Sequence, residues 1–237
     1  MGRKDPYYSR GVLYLPKPDP DGRVEVPIKQ IGKGMFSKAY LTTTGTPYVY
    51  LFTREDNGGD YAKRILSELT PNPGDKWRRS RYLPKTVDLG CLNDGSCVYR
   101  MPLYRAPLRK KDSEKAWKQY RALEKCWNEA TRNIKNKLAK KYDWQNAAYQ
   151  YQYHGRDIMD EVVECARKSK DVPAGLVNAL NELVEESANY GNDYTFEFSP
   201  RNLATTESGH LILLDVVFSL ESVAKTRAKA RKKVPAW

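Results

Sequence analysis

The chain has 237 residues, 40% of them hydrophobic, and a formal net charge of +12. That is enough apolar material for a packed core in one or two domains, and the charge favours acidic partners: nucleotide, nucleic acid or an acidic protein face. No apolar run is long enough for a membrane span, the opening MGRKDPYYSRG lacks the apolar segment of a secretory signal, and four Cys without a C-x-x-C pair beside only two His argue against a zinc site and a disulfide framework. The expectation is a cytoplasmic protein with reduced thiols.

Residues 1–30 are rich in Pro, Asp and Gly, with short apolar pieces at 12–15 and 24–28, and read as an extended arm leading into a first strand. The segment 31–41, IGKGMFSKAYL, follows. Gly32 and Gly34 lack a Cβ, so the backbone there can come close to a ligand. A glycine turn between strands can also present N–H groups to phosphates. Lys33, Phe36 and Ser37 complete this candidate phosphate-covering turn, and 39–41 form the returning strand. A plain hairpin with a glycine turn is the competing reading. Gly45 pivots the next turn, and 48–53, YVYLFT, is a strand by its β-branched and aromatic content. Residues 60–69 place Tyr61, Ile65 and Leu69 at helical spacing.

Two further strands are expected at 82–90 and 96–104, joined by the hairpin signal Asn93-Asp94-Gly95. Cys91 and Cys97 sit across this hairpin and read as two thiols. The stretch 113–170 is helical in composition, with Trp117, Tyr120, Leu123, Trp127, Ile134 and Leu138 at helical spacing, and a second helix spans 156–169. Residues 142–154 are aromatic and Gln-rich; such rings beside basic residues can stack bases, and packing between helices is the reading preferred. A clearer helix covers 174–190, with Leu176, Leu180, Leu183, Val184 and Ala188 on one face.

That helix leads into 197–215, EFSPRNLATTESGHLILLD, a polar loop and a tight hairpin ending in an apolar strand. It carries Glu197, then Asn202 five residues on, then Asp215 after the strand. Two acids and an amide oxygen around one hairpin suit a hard cation, which takes oxygen ligands and binds phosphates as well. Phosphoryl-transfer sites use this layout: a catalytic-loop acid, a catalytic-loop Asn and a metal-binding Asp. An ordinary solvated hairpin is the alternative. The chain ends in 225–233, six basic residues and no acid, which reads as a solvated helix end or tail, or as a polyanion contact.

These segments resemble a protein kinase, and in particular the early serine/threonine kinase of short-tailed lytic coliphages. The resemblance runs from about 31 to 219. Its strongest pieces are 32–40, 54–61 (REDNGGDY), the Asn202 loop and 215–219 (DVVFS). It implies an α+β bilobal fold: an N-terminal arm (1–30), a small antiparallel β-sheet lobe (31–104), a truncated helical lobe (105–219) and a basic tail (220–237). It implies ATP and Mg²⁺ as cofactors, Met101 and Leu103 as the hinge that meets adenine, Asn202 and Asp215 as metal ligands, and Glu197 as the residue acting on the substrate hydroxyl. It implies host proteins as partners, among them transcription and RNA-processing enzymes, in the host cytoplasm. Two positions depart from the family pattern. Val49 or Leu51 stands where the strand Lys for the phosphates is usual, with Arg54 or Lys33 as other sources of charge, and Glu197 stands where Asp is usual. Glu68 is the candidate for the helix Glu of the kinase ion pair. An active kinase and a pseudokinase acting as a binding module are both carried forward.

Overall fold

The computed structural model describes the backbone of residues 5–16, 23–34, 37–54, 59–70 and 80–232, and their side chains except at 59–62, 226–227 and 229–232. The chain forms two compact units: Met1–Thr70 with Pro84–Leu103, and Pro71–Leu83 with Tyr104–Trp237. No helix among the described residues is long and apolar enough to cross a membrane.

The first unit is a curled antiparallel sheet and one helix. Its strands are β1 (Tyr7–Ser9), β2 (Val12–Pro16), β3 (Arg23–Lys33), β4 (Ser37–Thr42), β5 (Tyr48–Arg54), β6 (Val87–Cys91) and β7 (Ser96–Pro102), in the order β1-β2-β3-β4-β5-β7-β6. The helix α1 (Gly59–Glu68) follows β5. The stretch 1–30, read as an arm, thus supplies β1, β2 and most of β3. The five strands β3-β4-β5-β7-β6 with α1 make the small antiparallel sheet expected. The β6–β7 turn forms where Asn93-Asp94-Gly95 predicts it: Gly95 has φ +77°, its N–H donates to the Leu92 carbonyl, and Asp94 accepts from the Ser96 N–H at 2.9 Å. Strand alternation sorts the side chains onto two faces. Tyr50 and Phe52 join Leu13, Ile28, Tyr40 and Val98 in a core on one face. Each side chain so buried is worth about 1.5–3 kcal/mol. The sheet curls until its two ends approach, since a Cβ on Gly90 of β6 would touch Pro6 at 3.5 Å.

The second unit holds α2 (Glu114–Lys141), α3 (Trp144–Tyr151), α4 (Gly155–Lys168), α5 (Ala174–Ser187) and α6 (Leu220–Lys232). Two small ladders join them: β8 (Tyr194–Phe196) pairs with β11 (Val217–Ser219), and β9 (Leu203–Thr205) with β10 (Leu211–Leu213). Ser113 caps α2 by accepting from the Ala116 N–H at 3.1 Å, satisfying one of the orphan donors of a helix start. The stripe Ala116, Tyr120, Leu123, Ala130, Ile134 and Leu138 is buried at the spacing of one helix face. Gly155 lets α4 lie against the chain entering β8: a Cβ there would stand 2.3 Å from the Tyr194 carbonyl oxygen.

Three expectations change. The strand expected at 82–90 begins only at Val87, and Tyr82 and Leu83 are buried in the second unit instead. The cysteines are paired, Cys91 with Cys97 and Cys126 with Cys165. The β6–β7 register sets the first pair opposite one another, and packing of α2 on α4 brings the second together. The second pairing does not show in the spacing of Cys along the chain. Of the aromatic stretch 142–154, Tyr142 and Tyr151 are half-buried, but Trp144, Tyr149 and Tyr153 are exposed and α3 has no fully buried residue.

Candidate active site

Residues 194–219 fold into two nested ladders. In the outer one Phe196 faces Val217, and the Glu197 N–H extends it by donating to the Val216 carbonyl at 2.8 Å. In the inner one Leu203 faces Leu213, and beyond it the Asn202 carbonyl accepts from the N–H groups of Leu214 and Asp215, both at 3.0 Å. A short 3₁₀ turn, Pro200–Asn202, links the ladders. Proline suits its first position, where no N–H is needed. Phe196, Phe198, Leu203, Ala204, Ile212 and Val216 are all buried. Their burial fixes the register and sets the polar residues at the strand ends.

The structure thereby brings the loop of Glu197 and Asn202 to the start of Asp215. The Asn202 amide nitrogen donates to the Glu197 carbonyl at 3.3 Å. Its side-chain oxygen has no hydrogen-bond partner among the described residues and is the end open to an outside ligand. Glu197 is half-buried and Asp215 exposed. The strand before Asp215 is buried, but Asp215 itself is exposed, because the chain turns out after β10 to enter β11. Its exposure spares the fold the cost of burying a charge. An amide oxygen and a carboxylate on hydrogen-bonded backbone are hard donors of the kind Mg²⁺ takes, and two protein ligands leave room for water and phosphate oxygens.

In the first unit, Gly32 lies in β3 opposite Ala39, and Lys33 opposite Lys38, after a bulge between Gln30 and Gly32. The Gly34 N–H closes the hairpin on the Ser37 carbonyl at 2.8 Å. Phe36 lies outside the described residues. A Cβ at Gly32 would meet Ala39 at 3.8 Å and one at Gly34 would meet the Ser37 hydroxyl at 3.6 Å, both ordinary contacts, so the hairpin alone does not require glycine. The register sets Gly32, Ala39, Leu51 and Tyr99 in one cross-strand row, and Leu41, Val49 and Met101 in the next. Met101 is buried; Leu103 is 48% exposed and donates its N–H to the Pro47 carbonyl at 3.3 Å. Leu51 and Val49 are apolar on the sheet face opposite Tyr50, and Glu68 is exposed.

Sequence reasoning misses Lys63. It lies on α1, which packs on β5, β6 and β7, and is 3% exposed. Its signal is its place one helical turn before the buried Leu66. A buried ammonium must be compensated, and Lys63 has an interaction partner. A cavity of about 1040 Å³ opens on the Tyr50 face, walled by Leu15, Val26, Tyr48, Tyr50 and Arg100. None of the glycine-turn or hinge candidates lines it.

No protein-family model matches the chain, and no curated protein does. Among solved structures it is similar to the crystal structure of aminoglycoside phosphotransferase APH(4)-Ia, at 14% identity and a TM-score of 0.35, over 87% of this chain and 77% of that one.

Proposed function

We propose that the chain is an ATP-dependent phosphotransferase of the protein-kinase type, in which Asn202 and Asp215 hold Mg²⁺ and Glu197 orients the acceptor hydroxyl. One observation carries the reading: the Asn202 carbonyl takes the N–H of Asp215 while the Asn202 side-chain oxygen stays open. Phosphoryl transfer asks the protein for positioning and charge stabilisation more than covalent chemistry. Mg²⁺ held by these residues would supply positive charge to offset that developing on the phosphates. Asn202 and Asp215 present the oxygen donors. Glu197 accepts the hydrogen bond of the hydroxyl; its extra methylene relative to Asp changes reach, not chemistry.

In the first unit, Gly32 and Ser37 flank the turn that covers the phosphates, and Lys33 adds charge. The Gly34 N–H is already given to Ser37, so phosphate contacts come from other groups. Met101 and Leu103 offer apolar contact to adenine. Lys33, or Arg54 at the end of β5, stands in for the absent strand Lys. Specificity for serine and threonine hydroxyls, host proteins as substrates and a phage origin rest on the resemblance of 32–40, 54–61 and 215–219. One observation favours a second reading, a pseudokinase: Leu51 and Val49 are apolar where an ammonium is expected.

Calorimetry with a non-hydrolysable ATP analogue, with and without Mg²⁺, tests the proposal beside transfer of labelled phosphate to the chain itself and to a bacterial lysate. Metal-dependent binding with transfer supports the enzyme. Binding without transfer supports the pseudokinase. No binding in either condition overturns the enzyme and leaves a pseudokinase that has also lost its nucleotide.

A further inference from the structure

We infer that α3 and the C-terminal half of α2 form a binding surface for single-stranded nucleic acid. The inference does not depend on phosphotransfer. Three large aromatics stand in solvent within ten residues: Trp144 is 78% exposed, Tyr149 57% and Tyr153 47%. Tyr149 and Tyr153 meet edge to face at 5.4 Å, with the Tyr153 hydroxyl donating to that of Tyr149 at 2.9 Å, so the pair is held out as one unit. Trp144 and Tyr149 are about 7.5 Å apart along the helix axis.

Beside them the C-terminal half of α2 is basic. Arg132, Lys135, Lys137, Lys140 and Lys141 are all exposed, and none joins an ion pair among the described residues. Helical spacing puts Arg132, Lys135 and Lys140 on one side, with Lys137 and Lys141 turned away from them. The basic and aromatic segments are joined: the Lys135 ammonium lies 5.2 Å from the Tyr151 ring centroid and Lys141 5.1 Å from that of Tyr142. The acid between them in sequence, Asp143, is occupied in capping α3. It accepts from the N–H groups of Gln145 and Asn146 at 3.0 and 2.9 Å, and from the Asn146 side chain. Nearby, Glu161 accepts from the Asn133 side chain and Glu221 lies toward Tyr153. The helix dipole accounts for cations in the last turn of α2 but not for Arg132 and Lys135.

Unneutralised cations select a polyanion. Exposed rings select one whose bases are unstacked, because a duplex hides its base faces. An acidic peptide would satisfy the lysines and leave the rings without use. A membrane surface calls for a continuous apolar helix face, and five of the eight residues of α3, WQNAAYQY, are amide or alanine.

The test uses the full chain, basic tail included, and a fluorescent 20-nucleotide poly-dT, by anisotropy across a salt series. A duplex of equal length, an acidic peptide and anionic vesicles serve as competitors. Trp144→Ala with Tyr149→Ala should weaken single-strand binding at least tenfold and leave the salt slope unchanged. Arg132→Gln with Lys135→Gln and Lys140→Gln, three exposed cations on one side of α2, should reduce the slope by about 2, near 0.7 for each phosphate no longer neutralised. All five side chains are exposed, so parental melting temperatures are expected and are checked first. Variants that bind like the parent, a duplex that binds as tightly, or competition by peptide or vesicle and not by the single strand would each overturn the inference.

Discussion

The backbone N–H of Asp215 donates to the main-chain carbonyl of Asn202 at 3.0 Å. Thirteen positions apart in sequence, the two residues are joined by this main-chain bond. Substituting either side chain therefore leaves the bond in place. Asp215→Asn should change stability by no more than about 0.5 kcal/mol, as for other exposed positions, while removing the Mg²⁺ dependence of nucleotide binding. Thermal melting and calorimetry with and without metal read the two effects separately.

Glu197 enters the site through its side chain, whereas its backbone N–H and carbonyl are engaged by Val216 and Asn202. Glu197→Gln should spare nucleotide affinity and lower the transfer rate by about 10²–10⁴, the range for loss of a positioned base. An equal loss of binding would show that Glu197 acts on the metal.

Gly155 is a point of steric closure between α4 and the chain entering β8. Because the added Cβ would meet backbone at 2.3 Å, no side-chain rotation relieves the contact. Gly155→Ala should destabilise the chain by about 2–4 kcal/mol, above the usual overpacking range because main chain must move. Urea unfolding should show a lower midpoint, with Mg²⁺-dependent binding weakened along with it.

Glu182 sets a pH dependence. Burial first, then the like charge of Glu185, holds its carboxyl above the ordinary value. One carboxylate oxygen, Oε2, is buried without a hydrogen-bond partner. The fold favours the protonated form. The stability this adds is present below the ordinary glutamate value and is lost as pH rises through the raised one. Glu182→Gln, neutral throughout, should thus be more stable than the parent at neutral pH, by up to about 1 kcal/mol given partial exposure. The difference should vanish in acid. Melting curves from mildly acidic to neutral pH decide it.

What the sequence made legible was local. The helix read at 156–169 is Gly155–Lys168, and the tight hairpin read within 197–215 turns with the Gly209 N–H donating to Thr206, Gly209 at φ +77°. Both follow from spacing and turn chemistry within a few residues. The order Glu197, Asn202, Asp215 around one hairpin was legible for the same reason. What was not legible depends on partners far along the chain. Tyr82 and Leu83 have strand composition, yet the second unit buries them. Lys63 reads as a surface residue until α1 is packed on the sheet. Cys126 and Cys165 meet only when α2 and α4 pack. Trp144 and Tyr149 read as core by hydrophobicity alone, and nothing in their own segment says that no helix covers them.

The strand leading to Asp215 depends on a residue made long before it. The Leu213 N–H donates to the Tyr82 carbonyl at 2.8 Å, so one flank of β10 is closed by a segment that precedes β6 and β7. During synthesis Tyr82 emerges about 130 residues ahead of its partner, a wait on the order of ten seconds at typical elongation rates. The ladder that sets the candidate metal ligands is therefore completed late, after α2, α4 and α5 have left the ribosome. A fragment starting at residue 104 would carry Glu197, Asn202 and Asp215 but not their support. Halves of this protein cut at that boundary should need to be produced together.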